Sequence, residues 1–444
     1  MKKRIFILVF ALALAVLLCA CGGVEDLEKL KDIELPPLPT VGLYDEEEPA
    51  LSQSVEPTPG AYLGDLGEEP EPSIIVRIEN TTMEQYDPAD GTQLILTFGY
   101  DTPTVYMEGN EAAAAAVNES IARINETYYT GDSYGEEAEG SMPSGFLGML
   151  EAAEDNFYVN YHSGGDLPLE YSSTRTVRVE RLDSKMICLV FTDYSYTGGA
   201  HGIYTDRAYL YSSETGARLH LEDLCRDTDG MKAYLRDSMF NSLEPDLREY
   251  YSNFLYEKDL SQALEDLIRD GSFYFNDQGL VIFSDVYELA SYADGIVTFV
   301  FPYDQLYGYL DEAWFPEERT EEGELEVISL DAVPDGGLWI VDRLALDEVG
   351  GEWCLVARGT LYDVTICNAY YSDFTSSFFA HGQLWKAAQL CNSAVQIKSD
   401  IPDGLPNLMI RYTTSDGQVH TKLLSQSGED GHPMLVDDTV EAVG

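Results

Sequence analysis

Positive charge is what this chain has least of. Its 26 Lys and Arg stand against 79 Asp and Glu, a formal net charge of −53 over 444 residues. Phosphate backbones and anionic headgroups are repelled by such an excess over a Debye length of about 8 Å at physiological salt, so no nucleic acid is expected as a partner. The same field attracts a cationic protein. Histidine is scarce too, at six residues, and no P-loop, His-Glu-x-x-His or Cys-x-x-Cys string occurs. Several common nucleotide-binding, metalloprotease and redox classes are thereby removed, and neither a cofactor nor a metal is expected. Beyond the N-terminal region only Cys188, Cys225, Cys354, Cys367 and Cys391 remain, odd in number and widely spread, which is no disulfide framework. One bridge among the last three stays open. Cys188 lies inside the apolar run from Met186 to Phe191 and reads as a buried small residue.

The one long greasy stretch is at the start. Lys2, Lys3 and Arg4 precede an uncharged run from Ile5 to Leu18, too short to span a bilayer comfortably but suited to a secretory signal. It ends in Leu18-Cys19-Ala20-Cys21-Gly22-Gly23, which resembles the lipobox of bacterial lipoproteins. Ala20 fits the cleavage position, whereas Cys19 as acceptor would place Leu18 there, so the lipid is assigned to Cys21. Residues 1–20 are therefore read as a lipoprotein signal peptide. Its removal takes away three basic residues and no acidic ones, moving the charge from −53 to −56. Two acyl chains at about 0.8 kcal/mol per buried CH₂ suffice for stable anchoring. The chain is expected at the outer face of the cytoplasmic membrane.

Residues 21–72 are rich in Glu, Asp and Pro and poor in aromatics, a composition that cannot bury enough surface to fold, and read as an acidic tether. Order is expected from Ser73. Strands are read at Ile74 to Val76 and through Leu94, Leu96 and Phe98, then a helix from about Glu111 to Thr127 with Val117, Ile121, Ile124 and Tyr128 on one stripe. A second helical stretch runs near Phe146 to Phe157, with a polar loop over Gly131 to Gly140 before it. A hairpin follows through Val177, Val179 and Ile187 to Phe191, turning at Asp183-Ser184, and Ala208 to Tyr211 makes a third strand. Leu235, Met239 and Leu243 mark one helix and Leu260, Leu264 and Leu267 another. Phe273 to Phe275, Leu280 to Phe283 and Val297 to Phe301 return to strand, expected on the same sheet. Asp227-Thr228-Asp229-Gly230 invites a calcium-loop reading. It fails, because the twelfth position would be Arg236, and a helix-capping turn is expected instead. Residues 313–325 read as an acidic linker and 326–444 as a β-rich module with an Asp416-Gly417 hairpin turn.

Two strings stand out. The first, Tyr194-Ser195-Tyr196-Thr197-Gly198-Gly199-Ala200-His201-Gly202, lies between two expected strands. The second comprises Tyr287-Glu288-Leu289-Ala290 and Tyr292-Ala293-Asp294-Gly295. Together they resemble the extracellular domain of RsiV-type lysozyme-responsive anti-sigma factors, also found beside peptidoglycan deacetylase domains, over about residues 73–312. The resemblance implies an α+β fold, a mainly antiparallel sheet with helices packed on it, and a domain that binds lysozyme outside the cell. The sigma-release half of that mechanism does not carry over, for no cytoplasmic segment or retained membrane helix is expected here.

His201 has no second His or Cys near it in sequence, and a glycine loop often uses His to bond its own backbone. The candidate binding loop is therefore Tyr194, Tyr196, Thr197, Gly198, Gly199, Ala200, His201 and Gly202, with Tyr204 adding aromatic area. Tyr287, Glu288, Tyr292, Ala293 and Gly295 carry the family motif. The chain is read as a surface-tethered binding or sensing module for a cell-wall component or a cationic, lysozyme-like protein. An envelope hydrolase acting on glycan or peptide through His201, and a structural lipoprotein contacting another envelope protein, are the alternatives.

Overall fold

The computed structural model describes residues 61–62, 74–88, 91–131, 144–159, 170–256, 258–329, 339–345, 350–368, 383–400, 408–426 and 433–442. The signal, Cys21, nearly all of the tether and most of the loop between Gly131 and Gly140 lie outside the described residues. A two-residue strand β1 (Ala61–Tyr62), inside the stretch expected as a tether, is followed by β2 (Ile74–Tyr86) and β3 (Leu94–Met107). Helices α1 (Glu111–Thr130) and α2 (Gly145–Phe157) come next. Strands β4 (Tyr171–Leu182), β5 (Met186–Tyr196), β6 (Ile203–Ser212) and β7 (Arg218–Leu219) succeed them. Four helices, α3 (Leu221–Leu224), α4 (Thr228–Ser242), α5 (Pro245–Leu255) and α6 (Leu260–Asp266), lead to β8 (Phe273–Phe275), β9 (Gly279–Phe283) and β10 (Thr298–Pro302). The remainder is strand: β11 (Gly323–Ser329), β12 (Trp339–Ala345), β13 (Gly350–Asn368), β14 (Gln383–Cys391), β15 (Ser393–Asp400), β16 (Leu408–Thr413), β17 (Gln418–Gln426) and β18 (Pro433–Ala442). The class is α+β, with a large mostly antiparallel sheet and a second small one, as the resemblance implied.

The local causes are visible. Helix α1 buries Val117, Ile121 and Tyr128 on its apolar stripe and ends where Gly131, at φ 84°, donates its N–H to the Thr127 carbonyl. Asp227 caps α4, its carboxylate accepting from Gly230 N at 3.1 Å, so the calcium-like string is a cap. Strand β5 explains its own unbroken apolar run. Met186, Cys188 and Val190 face one core with α4 and α6, while Ile187, Leu189 and Phe191 face another with α1, so both faces are buried. Burial pushes the Cys188 thiol up to about 12, which keeps it an inert apolar filler. Cys354, Cys367 and Cys391 all keep their thiols, so none of the bridges left open among them forms.

Two expectations are corrected by the topology. Strands β8, β9 and β10 do not join the main sheet; they form a three-stranded sheet of their own, order β10-β9-β8. Its inner faces, Phe273, Phe275, Leu280 and Ile282, close the α4–α6 core instead. The main sheet, in turn, does not stop at the acidic stretch 313–325. Strand β14 pairs antiparallel with β2, from Gln383 against Glu79 to Ala387 against Ile75, and so joins the C-terminal strands to the first hairpin. The stretch itself is pinned rather than free. Arg181 Nη1 donates to Trp314 O at 2.9 Å, Lys185 Nζ to Phe315 O at 2.7 Å, Ser184 Oγ to Glu317 at 2.8 Å and Thr360 Oγ1 to Glu321 at 2.6 Å. Arg319 reaches Asp277 at 3.5 Å and pairs closely with Asp363. β1, for its part, pairs with Trp339 and Ile340 of β12.

Candidate functional site

The first string closes the β5–β6 hairpin, whose last paired residues are Tyr194 with Tyr204 and Ser195 with Ile203. Between them the chain must reverse, and Gly198 (φ 91°) and Gly199 (φ 101°) supply two left-handed residues in succession. Tyr196 Oη donates to Gly199 O at 3.2 Å and fixes the reversal. Gly202 is glycine for a different reason: a Cβ there would overlap the Tyr194 ring, which lies across it.

The second string occupies the loop from β9 to β10, and its base is an ion network. Arg207 Nη1 donates to both oxygens of Asp285 at 2.9 and 3.0 Å, and Arg269 holds Glu288 bidentately at 2.6 and 3.0 Å. Glu288 also accepts the backbone N–H of Asp285 at 2.9 Å. Beneath them Leu289 and Ala290 are buried in the core. Glu288 is thus a structural residue of the motif, and its work is to turn the chain so that Tyr287, at φ 66°, and Tyr292 face outward. Ser291 caps a short 3-10 turn over Tyr292–Asp294, and Gly295 at φ 72° ends it. Asp294 accepts from Ser291 Oγ and Tyr250 Oη, both at 2.6 Å. Those bonds, the serine hydroxyl first, hold its carboxyl below the usual range. Ala293 is exposed on the outside of the turn.

The two strings meet. His201 stacks on Tyr292 with ring centroids 3.6 Å apart and planes 13° from parallel, and Tyr287 Oη lies 3.3 Å from His201 Nε2. Tyr204 sits edge-on to Tyr292 at 5.8 Å. His201 Nδ1 is 2.9 Å from Gly202 O, and a carbonyl can only accept, so the neutral ring carries its proton on Nδ1. Its Nε2 lone pair then accepts a hydrogen bond from the Tyr287 hydroxyl at 3.3 Å. Both ring nitrogens are thus engaged by groups of the protein itself. Among the described residues no group of three or more His, Cys, Asp or Glu side chains could hold a metal ion.

The cluster lies on an open face. Tyr194, Tyr250 and Tyr287 expose 36 %, 39 % and 49 % of their surface. Tyr194 also borders a shallow groove of about 500 Å³ that runs over Thr97, Ser172 and Thr174. Of the residues expected to matter, Tyr194, Tyr196, Gly198, Gly199, His201, Gly202, Tyr204, Tyr287 and Tyr292 are brought together, with Thr197 and Ala200 in the connecting loop. Sequence reasoning missed Tyr250, which comes from α5, and the Arg207–Asp285–Arg269 base. The only signal for Tyr250 was its place in a tyrosine pair, Tyr250-Tyr251.

Residues 226–304 match the model of a family described as Protein of unknown function (DUF3298). This match takes in α4 to β10 and therefore the Tyr287 and Tyr292 loop, but not the glycine loop. Two solved structures are similar. One is a DUF3298 family protein from Pseudomonas aeruginosa PAO1, 16 % identical, with a TM-score of 0.36, covering 54 % of this chain and 96 % of its own. The other is a DUF3298 family member from Bacteroides fragilis NCTC 9343, 14 % identical, with a TM-score of 0.38, covering 54 % of this chain and 94 % of its own. No curated protein sequence matches. No helix among the described residues is long and apolar enough to cross a membrane.

Proposed function

We propose that this protein is a lipid-anchored binding or sensing module outside the cell, which presents the His201–Tyr292–Tyr287 face to a cationic, lysozyme-like protein or a cell-wall component. The observation that carries the reading is the meeting of two strings 86 residues apart in one exposed aromatic cluster. Tyrosine rings with satisfied polar ends make large, low-entropy contact area, and rings beside the carboxylate of Asp294 suit a guanidinium or ammonium. The net charge of −53 favours the cationic protein over the wall glycan and would speed its approach. The resemblance to RsiV-type domains points the same way.

Calorimetric titration with lysozyme tests it. Tyr292→Ala and Tyr287→Ala are expected to weaken binding about tenfold each, the size usual for an interface anchor, with the thermal midpoint little changed. Equal affinity of both variants and the parent, or no binding at low salt, would remove the reading. Anchoring has its own test: labelled palmitate should enter the parent and not Cys21→Ser, and a parent without label would place the protein elsewhere.

A further inference from the structure

The shallow groove bordered by Tyr194 differs in character from the acidic surface around it. Its floor is one face of β3, β4 and β5, where the register sets Thr97 beside Ser172, Thr174 beside Tyr194 and Thr176 beside Thr192. The other face of these strands is buried, at Phe98, Ser173 and Phe191. Neighbouring strands lie about 4.8 Å apart and alternate residues of one strand about 6.6 Å, so the floor hydroxyls form a regular array. Gly99, opposite Thr174, has no side chain, and β3 raises nothing against that array. A glycine inside a strand often marks the close approach of a ligand. The groove holds about 500 Å³, and of its lining residues only Glu170 is charged, in a chain of net charge −53.

Only some of the hydroxyls are engaged. Thr97 Oγ1 donates to Glu170 at 2.8 Å, and Thr192 Oγ1 donates to Asp206 at 2.7 Å while accepting from Arg178 Nη1 at 2.8 Å. Among the described residues, the hydroxyls of Ser172, Thr174, Thr176 and Tyr194 bond to no protein group. The Tyr194 ring rests against Gly202 and walls the groove. These features select among ligands. A cation finds one carboxylate, an anion is repelled by the net charge, and a peptide strand finds no free edge, because β4 is paired there with both β3 and β5. A purely apolar ligand would leave the hydroxyls unanswered. A neutral sugar chain offers hydroxyls that both donate and accept, and C–H faces for the threonine methyls and the tyrosine ring. The volume lies within the roughly 300–1,000 Å³ of small-ligand sites.

We propose that this groove binds a neutral glycan chain, with a pyranose ring on Tyr194 and sugar hydroxyls on Ser172, Thr174 and Thr176. Tyr194 is shared with the aromatic face, but the inference does not rest on that reading, and Tyr292 separates the two. The test is calorimetry on the full chain at physiological salt. The probes are two neutral chains, chitotetraose and cellotetraose, and two charged ones, tetraglucosamine and tetragalacturonate. At least one neutral chain is expected to bind tenfold or more tightly than either charged chain. Thr174→Val/Thr176→Val removes the hydroxyls while keeping side-chain shape and strand propensity, and should weaken that chain at least fivefold with the melting curve unchanged. Tyr194→Ala should weaken it at least as much, and Tyr292→Ala should leave it unchanged. No binding of either neutral chain, tighter binding of tetraglucosamine, full affinity in the valine variant, or an equal loss with Tyr292→Ala would each overturn the proposal.

Discussion

Gly202 and Gly279 both lack room for a side chain, yet substitution should end differently at the two. At Gly202 the obstacle is the far end of the Tyr194 ring, which is 36 % exposed and can swing away. Gly202→Ala is expected to keep stability within about 1 kcal/mol, while displacing Tyr194 and weakening the partner titration. At Gly279 the obstacle is the backbone carbonyl of Phe301 in the facing strand, and φ is 149°. Gly279→Ala should cost about 2 kcal/mol or more in urea unfolding, because β9 and β10 must part. Asp101 gives a pH signature. It is fully buried, burial pushes its carboxyl up to about 6, and the bonds from Asn80 and the Val177 N–H only partly oppose this. The folded state therefore holds the proton more tightly than the unfolded chain. Its stabilising contribution is complete below about pH 4 and is lost as pH rises through 6, on the order of 2–3 kcal/mol. Urea midpoints of the parent should rise from pH 7 to pH 4.5 more steeply than those of Asp101→Asn; parallel profiles would show that Asp101 ionises freely.

At the scale of elements, Arg175 of β4 ties three pieces together. Its Nε and Nη2 meet Asp193 of β5 at 2.6 and 2.7 Å, its Nη1 donates to Ile124 O of α1 at 2.8 Å, and the guanidinium lies 4.2 Å from the Tyr128 ring centroid. Asp193→Ala leaves that buried charge uncompensated and is expected to cost about 3–5 kcal/mol, whereas the paired change Arg175→Met/Asp193→Leu should cost much less. A double variant no more stable than the single one would deny the pair this role. Such ties also mark where sequence reasoning stops. The elements with a buried stripe, α1 and α4, and the doubly buried β5 were legible, because burial imposes period on sequence. Helix α5 was not, for only Tyr251 of its residues is buried while Leu247, Tyr250 and Phe254 stay exposed. Both strings of the candidate site could be read as unusual, but their contact across 86 residues leaves no local trace. The pinned stretch before β11 failed for the same reason, since each of its anchors is one long-range side-chain bond.

For the whole molecule, the seam between β2 and β14 decides whether the last third of the chain is an accessory or part of one folding unit. Ile75 shares a core with Leu355, Val364, Trp385 and Ile410, and Val76 and Ile78 share another with Cys367 and Leu384. The same strand thus sends alternate residues into two cores, each completed by the C-terminal strands, as a central strand of a sheet must. Arg77 adds an ion pair to Asp342, and Trp385 Nε1 donates to the same carboxylate at 2.8 Å. A chain cut after residue 322 would expose the free edge of β2 together with those apolar faces, which is a template for self-association. We therefore expect the full chain to unfold in urea as a single transition by tryptophan fluorescence and circular dichroism alike, and the truncated chain to unfold at lower urea or to elute as oligomers. If the shortened chain stayed monomeric with an unchanged midpoint, the seam would carry no stability, and the acidic stretch would mark a true boundary between separately folding parts.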